Sequence, residues 1–174
     1  MAMTTQQLAE RVRQVAYLEG DFVLRSGRRS KYYLDKYLFE TSPDILAELG
    51  RRMGELAGEA EVIAGAELGA VALAAAVSMA TGKPFSIVRK ARKDHGTSKL
   101  IEGADVAGKK VLLVEDVGTT AGAALEAARA LAQAGAEITR IVFAVDRMEG
   151  ARENVQAAGY EFQAILSAAD LGIK

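Results

Sequence analysis

The segment with the clearest chemical content joins an apolar run to two acids and a turn of small residues. The run is Val111–Val114, the acids are Glu115 and Asp116, and the turn is Val-Gly-Thr-Thr-Ala-Gly-Ala at 117–123. Backbone N–H groups in such a turn, together with a following helix start, bind phosphate, and Thr119 and Thr120 add hydroxyl donors. Adjacent carboxylates would repel phosphate, so they suit ribose hydroxyls or a magnesium ion that bridges to a substrate. The alternative is an acidic turn exposed to solvent.

A second segment concentrates cations. It contains Arg89, Lys90, Arg92, Lys93 and His95, followed by Gly96. Because residues 90–103 are charged, glycine-punctuated and without periodicity, they predict a long mobile loop that could act as a lid. Cations on a lid would stabilise the negative charge on a leaving group such as pyrophosphate while water is excluded. The alternative is a solvated loop, and His95 by itself would more often be a surface or packing residue.

Two further features suit recognition of a planar substrate. Arg147 follows an apolar run at 141–145, and its guanidinium matches the geometry of a carboxylate, although a salt bridge with a nearby acid is equally compatible with the sequence. Near the start of the chain, the turn at 26–28 separates two aromatic and branched stretches. This pattern predicts a pair of strands. Tyr32 and Tyr33 lie in the second stretch, where they could contact a substrate or equally pack in the core.

The elements that must position these residues alternate along the chain. Near-helical spacing of Leu8, Val12 and Val15 predicts a first helix that Gly20 ends, and the aromatic stretches at 22–24 and 30–39 are expected strands. After a helix that starts near Pro43, strands are expected at 62–64, 85–88, 111–114 and 141–145, and helices near 69–80 and 122–134. This order predicts an α/β domain with a mostly parallel sheet flanked by helices, which binds ligands at the carboxyl ends of its strands.

Composition limits the function classes. With 174 residues, of which 50% are hydrophobic and 26% charged, the chain predicts one domain spanning 1–174. Lys+Arg at 22 against Asp+Glu at 23 leaves no basic excess for nucleic acid, and the lack of cysteine excludes thiolate chemistry. The polar start and the short apolar run at 71–80 predict no membrane span and a cytoplasmic location. No glycine loop is followed by Gly-Lys-Ser/Thr, which disfavours a nucleotide triphosphatase.

These motifs, taken in the order in which they occur along the chain, resemble those of the orotate phosphoribosyltransferases, which are type I phosphoribosyltransferases. The segment 114–122 resembles the family's motif for phosphoribosyl pyrophosphate (PRPP), and Arg-Lys-x-x-Lys-x-His-Gly at 89–96 resembles its catalytic loop. Residues 26–32 resemble the amino-terminal hood over the base, and Gly65–Gly69 the turn on the pyrophosphate side. The resemblance covers about residues 20–171. It implies a hood over about residues 1–40 and a mobile catalytic loop at about 90–103.

The resemblance also implies a reaction and its residues. Orotate displaces pyrophosphate from Mg²⁺-PRPP to give orotidine 5′-monophosphate, a step of pyrimidine (UMP) biosynthesis, in a homodimer with shared active sites. The implied PRPP contacts are Arg25, Arg89, Lys90, Lys93, His95, Glu115, Asp116, Val117, Gly118, Thr119, Thr120, Ala121, Gly122 and Ala123. Among them Lys90, Lys93, His95 and Asp116 are the implied catalytic residues. The implied orotate contacts are Thr119, Arg147, Tyr33 and Leu34, and Mg²⁺ is carried mainly by PRPP without a direct protein ligand.

The chain departs from the family pattern at four positions. Some members have Lys at the positions of Arg25 and Leu68, and many have a hydroxyl where this chain has Ala123. Ala121 stands where glycine is usual, so its Cβ is expected to strain the phosphate-binding turn of small residues at 117–123, which we term the phosphate turn. Two rival functions stay open. A transferase for another base would need neither Arg147 nor the order of the cationic loop, and a non-catalytic PRPP-binding regulator would be expected to carry a nucleic-acid surface.

Overall fold

Helices and strands alternate along the part of the chain that the computed structural model describes, which is residues 2–23, 27, 29–91 and 99–173. The helices are α1 (Thr5–Ala16), α2 (Lys36–Glu40), α3 (Pro43–Glu55), α4 (Ala70–Thr81), α5 (Gly122–Gln133) and α6 (Ala151–Ala157). The strands are β1 (Tyr17–Val23), β2 (Arg29–Leu34), β3 (Val62–Ala66), β4 (Phe85–Val88), β5 (Ile101–Gly103), β6 (Lys110–Gly118), β7 (Glu137–Asp146) and β8 (Phe162–Ser167).

The central sheet has the strand order β5-β4-β3-β6-β7-β8. All neighbouring pairs are parallel except β4 and β5, which confirms the predicted α/β class. Along β6 every residue from 111 to 116 is buried, because apolar clusters cover both faces of the sheet. The carboxyl ends of β3, β6 and β7 therefore share one edge, where Gly118 pairs with Asp146.

The start of α4 lies unusually close to β3. A Cβ on Gly65 would lie 2.4 Å from the carbonyl oxygen of Ala70 and 2.9 Å from the Cβ of Ala74, so only glycine permits this approach. The close packing places the turn at 66–69 against the sheet edge, where it can contact residues at the end of β6.

The amino-terminal region differs from the sequence prediction in two places. The first helix ends at Ala16 and not at Gly20, because Tyr17 opens β1 and its ring stacks on Tyr32 across the hairpin with centroids 5.4 Å apart. The expected strand at 30–39 is also wrong beyond Leu34. There Asp35 accepts a hydrogen bond from the Tyr37 N–H (3.1 Å) and begins α2.

The stretch expected as a loop at 90–103 contains a short strand at its far end. Residues 92–98, with Lys93 and His95, lie outside the described residues. At the far end, Ile101–Gly103 forms β5, so the prediction of an unstructured loop to residue 103 is wrong there. The Arg89 N–H donates to the Leu100 carbonyl (2.8 Å), so the two ends of the segment meet at the sheet edge. The sequence patterns also did not identify α6 and β8.

A buried ion pair network on α3 predicts a pH-dependent stability. Glu48, 7% exposed, accepts hydrogen bonds from Arg51 Nη2 (2.7 Å) and Arg52 Nε (2.8 Å). The hydrogen bond from Arg51, followed by that from Arg52, outweighs burial and lowers the pKa of Glu48 from 4.5 to about 2. A folded-state pKa below the unfolded value means that the stabilisation is present above pH 4.5 and is lost as the pH falls through about 2.

Glu48→Gln should therefore lower the free energy of unfolding by about 1–3 kcal/mol at neutral pH. Urea unfolding of both proteins between pH 7 and pH 2 would measure the difference at each pH. We expect the difference to shrink as the solution becomes acidic, because the wild-type carboxylate becomes protonated. A difference that stays constant over this range would show that the carboxylate charge contributes nothing to stability.

Candidate active site

The acidic pair at the end of β6 is buried. Glu115 is 7% exposed and Asp116 is 4% exposed, so the alternative of a solvent-exposed acidic turn does not hold. Asp116 accepts a hydrogen bond from Lys36 Nζ (2.6 Å) on Oδ2 and another from the Val117 N–H on Oδ1. Glu115 Oε1 accepts from the Asp116 N–H (3.0 Å), and Oε2 has no hydrogen-bond partner within the described ranges. This spare buried acceptor is available to a substrate hydroxyl.

A third carboxyl group comes from the hood. Glu40 on α2 is 2% exposed and lies beside Asp116, so Glu40, Glu115 and Asp116 form what we term the carboxyl cluster. Burial first, and then the negative charge of Asp116, raise the pKa of Glu40 to about 9 and that of Glu115 to about 8. Both carboxyl groups are therefore protonated more readily than an exposed glutamate, and Asp116 is the member of the cluster that is bonded to the Lys36 ammonium.

Lys36 and Glu40 are site residues that the sequence analysis missed. They are four residues apart on α2, so they share one face of the helix. The sequence pattern predicted a strand here, in which Lys36 and Glu40 would share a face but lie about 13 Å apart, too far to act together. The signal that could have found them is Asp35 as a helix N-cap before an otherwise unexplained lysine and glutamate.

The turn between β3 and α4 touches the carboxyl cluster through its backbone. A Cβ on Gly69 would lie 1.8 Å from Asp116 Oδ2 and 3.0 Å from Lys36 Nζ, so no side chain fits at this position. In the same turn the Glu67–Leu68 peptide bond is cis, and the Leu68 side chain is 69% exposed. Glu67 Oε1 accepts from the Lys90 N–H (2.6 Å), which joins this turn to the cationic segment.

The small-residue turn leads directly into α5. Thr119 and Thr120 are exposed, and α5 begins at Gly122 with no side chain capping its free N–H groups. Ala121 has φ 63° and ψ 18°, so the prediction of a strained Cβ at this position is confirmed. A left-handed conformation costs a residue with a Cβ about 1–2 kcal/mol. The side chain of Asn154 on α6, which the sequence analysis did not single out, donates to the Thr120 carbonyl (3.0 Å) and supports the turn.

A cavity of about 600 Å³ opens beside this turn and brings together many of the residues singled out in the sequence. Those that line it are Arg89, Lys90, Thr119, Thr120, Gly122 and Ala123, together with Glu67 of the β3–α4 turn. Two cations therefore face the phosphate turn across the cavity. Arg25, like Lys93 and His95, lies outside the described residues.

Arg147 lies at the same sheet edge, at the end of β7. Its N–H donates to the Gly118 carbonyl (2.8 Å), which sets it next to the phosphate turn. The guanidinium, 15% exposed, donates to the Tyr32 hydroxyl (2.9 Å) and pairs with Glu149 Oε1 (3.0 Å). The structure thus contains the salt bridge that the sequence left open, and Tyr32 connects the hood to Arg147. Of the other expected orotate residues, Tyr33 is 42% exposed and the Leu34 side chain is buried at 6%.

Searches for metal ligands and membrane spans give two negative findings. Across 2–23, 27, 29–91 and 99–173, three or more His, Cys, Asp or Glu residues nowhere come together in a way that could hold a metal ion. The same ranges contain no helix that is both long enough and apolar enough to cross a membrane.

Comparisons with known proteins agree with this geometry. The family model of the phosphoribosyl transferase domain matches residues 39–163. The orotate phosphoribosyltransferase of Methanocella arvoryzae is 45% identical over 168 residues, which cover 95% of each chain. Two crystal structures of the Mycobacterium tuberculosis orotate phosphoribosyltransferase superpose over 97% of this chain and 99% of theirs. One has a TM-score of 0.88 at 39% identity, and the other, a complex with PRPP, has a TM-score of 0.85 at 36% identity. The chain therefore belongs to the phosphoribosyl transferase domain family and, within it, to the orotate phosphoribosyltransferases.

Proposed function

We propose that this protein transfers ribose 5-phosphate from PRPP to orotate, giving orotidine 5′-monophosphate and pyrophosphate, in pyrimidine (UMP) biosynthesis. The observation that carries the proposal is the contact between Arg147 and the phosphate turn, because the Arg147 N–H donates to the Gly118 carbonyl (2.8 Å). The Arg147 main chain thus lies next to a turn that can hold a phosphate, and its guanidinium, which can hold a carboxylate, extends from the same sheet edge. The relatives named orotate phosphoribosyltransferases, one of them solved with PRPP, support the same reaction.

In this proposal the sheet edge binds PRPP in three parts. The N–H groups and hydroxyls of residues 117–123 hold the 5-phosphate at the positive end of α5. The buried oxygens of Glu115 and Asp116 accept hydrogen bonds from the ribose hydroxyls. Arg89 and Lys90 face the pyrophosphate across the cavity, and we assign Arg25, Lys93 and His95 the same role from the resemblance.

Orotate would bind between the hood and the end of β7. Its carboxylate would replace Glu149 as the partner of Arg147, whose guanidinium the Tyr32 hydroxyl already orients. Thr119 is one residue from Gly118 and so adjoins both substrates. Tyr33 offers an exposed ring, whereas Leu34 could contribute only through its backbone because its side chain lies in the core.

The chemistry then needs no covalent enzyme intermediate. A protonated ring nitrogen of orotate forms a bond to the anomeric carbon and loses its proton, the bond from that carbon to the pyrophosphate oxygen breaks, and the released pyrophosphate takes the electron pair and can take up the proton. Arginine and lysine side chains stabilise the charge that grows on the leaving group, and a closed lid protects the electron-poor carbon from water. Mg²⁺, when bound to the pyrophosphate of PRPP, would neutralise part of that charge. We assign it to the substrate, and the cytoplasmic location stays a prediction.

The direct test is the loss of orotate absorbance when the protein, Mg²⁺ and PRPP are mixed. Adenine, uracil and hypoxanthine serve as parallel acceptors. Turnover of orotate alone supports the proposal, and turnover of another base would make the protein a transferase for that base. PRPP binding in a titration without turnover of any base would instead indicate a non-catalytic PRPP-binding regulator.

We further propose that the protein is a homodimer in which each lid serves the partner's site, as the resemblance implies. An exposed apolar side chain in the turn on the pyrophosphate side agrees with a covering partner, since Leu68 is 69% exposed. A second copy of the chain would cover it in a symmetric dimer.

Mixing two inactive variants tests this arrangement. Lys93→Ala removes a lid cation and Asp116→Asn removes a ribose acceptor, so each homodimer is impaired at both of its sites. In a mixed dimer with lids acting across the boundary, one site receives the intact lid and the intact Asp116. Random exchange makes about half the dimers mixed, so activity should recover to roughly a quarter of wild type under two-fold symmetry. No recovery, with subunit exchange confirmed by tagged chains, would mean that each lid acts within its own subunit.

A further inference from the structure

The turn on the pyrophosphate side has no cation of its own. Its residues 65–69 are Gly, Ala, Glu, Leu and Gly, and the Glu67 carboxylate accepts from the Lys90 N–H. Leu68 is exposed but neutral. A pyrophosphate placed against this turn would find backbone groups and one negative side chain, so a nearby cation is needed to stabilise it.

Lys36 supplies a cation at this place from a different part of the chain. Its ammonium lies 2.6 Å from Asp116 Oδ2 and would be 3.0 Å from a Cβ on Gly69, so it sits between the end of β6 and the last residue of the turn. The Lys36 side chain is 34% exposed, whereas that of Asp116 is 5% exposed. The ammonium is therefore at the open rim of the carboxyl cluster, where a bound substrate could reach it.

The Lys36 ammonium is charged and can change partners, because its contact with the carboxyl cluster is one hydrogen bond to Asp116 at the exposed rim. Burial lowers the pKa of Lys36, but the hydrogen bond and charge of Asp116 outweigh this and raise the pKa above its ordinary value, so the ammonium stays charged. Glu40, Glu115 and Tyr37 are the other titratable groups around it, and burial beside Asp116 raises the pKa of both glutamates. Asp116 is the carboxyl group that is hydrogen-bonded to Lys36 (2.6 Å), and ribose hydroxyls could take over hydrogen bonding to Asp116.

We propose that Lys36 is a pyrophosphate-binding residue that provides, from the hood, the cation that the turn at 65–69 lacks. The inference rests on the proposed function. In the free protein Lys36 neutralises Asp116. When PRPP binds, the ribose hydroxyls donate to Asp116 and the Lys36 ammonium donates hydrogen bonds to oxygens of the pyrophosphate. Lys36 keeps its proton throughout, and the leaving pyrophosphate takes the electron pair of the broken bond.

The alternative is that Lys36 only neutralises Asp116 and does not contact the substrate. The affinity for pyrophosphate distinguishes these two roles. Mg²⁺-pyrophosphate has no ribose hydroxyls, but the Lys36 ammonium has three N–H donors and can donate to pyrophosphate while it stays bonded to Asp116. Mg²⁺-pyrophosphate can therefore be titrated by calorimetry into the wild type, Lys36→Met, Asp116→Asn and the double variant. Loss of a hydrogen bond from a charged group corresponds to a roughly ten- to hundredfold weaker Kd. We expect that loss for Lys36→Met in both backgrounds, because the contact is to the ligand and not to Asp116.

Three controls keep the result interpretable. Lys36→Arg should recover most of the affinity. Lys31→Met should change nothing, since Lys31 lies in the same hood on a strand and its side chain is 86% exposed. Thermal unfolding reports whether each variant is folded. Unchanged Mg²⁺-pyrophosphate affinity in folded Lys36→Met, or an effect that vanishes in the Asp116→Asn background, would overturn the proposal. A wild type that turns over no orotate would contradict the proposed function itself, whatever Lys36 does to pyrophosphate.

Discussion

Arg147→Ala should lower kcat/KM for orotate by roughly two to three orders of magnitude while the affinity for PRPP changes little. Removing one partner of a buried, hydrogen-bonded charge pair typically costs about 2–5 kcal/mol. The Arg147 side chain is only 15% exposed, so water cannot substitute well for the lost guanidinium. Steady-state kinetics with orotate varied at saturating PRPP, together with a PRPP titration, would measure both quantities. Wild-type kinetics in this variant would remove Arg147 from the site.

Two matched variants separate substrate recognition from support of the hood. Tyr32→Phe removes the hydroxyl that Arg147 donates to (2.9 Å) but keeps the ring that stacks on Tyr17. We expect a modest effect from it, because the guanidinium remains. Glu149→Gln removes the acid that pairs with Arg147 (3.0 Å) and should leave or slightly improve orotate binding, since the competing partner becomes neutral. If Tyr32→Phe lowered kcat/KM for orotate as much as Arg147→Ala does, Arg147 would act mainly by holding the hood against the sheet edge.

Gly69→Ala should abolish measurable PRPP binding. The added Cβ would lie 1.8 Å from Asp116 Oδ2, and the carboxylate cannot easily retreat because Lys36 and the Val117 N–H hold it. Either Asp116 or the whole start of α4 must move, and both displace groups assigned to PRPP. We expect an affinity loss of at least about a hundredfold, of the order expected when a charge-assisted contact is removed and its neighbours are displaced.

The thermal stability of Gly69→Ala tests the same contact between Gly69 and Asp116. Gly69 has φ −60° and ψ −44°, an ordinary right-handed conformation that alanine adopts without backbone strain. A lower Tm of Gly69→Ala would therefore report the clash with Asp116. Adding Asp116→Ala, which removes the clashing oxygen, should recover the Tm without recovering PRPP binding. An unchanged or raised Tm together with normal PRPP affinity would contradict the close approach of Gly69 to Asp116.

What the sequence by itself determined is the set of features whose cause is local. A continuous apolar run followed by Glu115 and Asp116 indicates a buried strand that ends in acids, and the structure has that strand as β6. The strained backbone at Ala121 was expected because the resembling family usually has glycine there, and its φ of 63° is present. The alternation of short apolar runs with helices was enough for the four parallel strands β3, β4, β6 and β7, because each of these strands is recognisable within its own window.

Only the tertiary structure decided features that depend on contacts between distant segments. Tyr17 leaves the first helix because its ring stacks on Tyr32, and Ile101–Gly103 becomes a strand because β4 offers a free edge. The carboxyl cluster is the clearest case. Lys36 and Asp116 are 80 residues apart in sequence, and nothing local to either predicts their 2.6 Å contact. Burial of charges is favourable only with a partner, and the choice of partner is set by how the hood packs on the sheet edge.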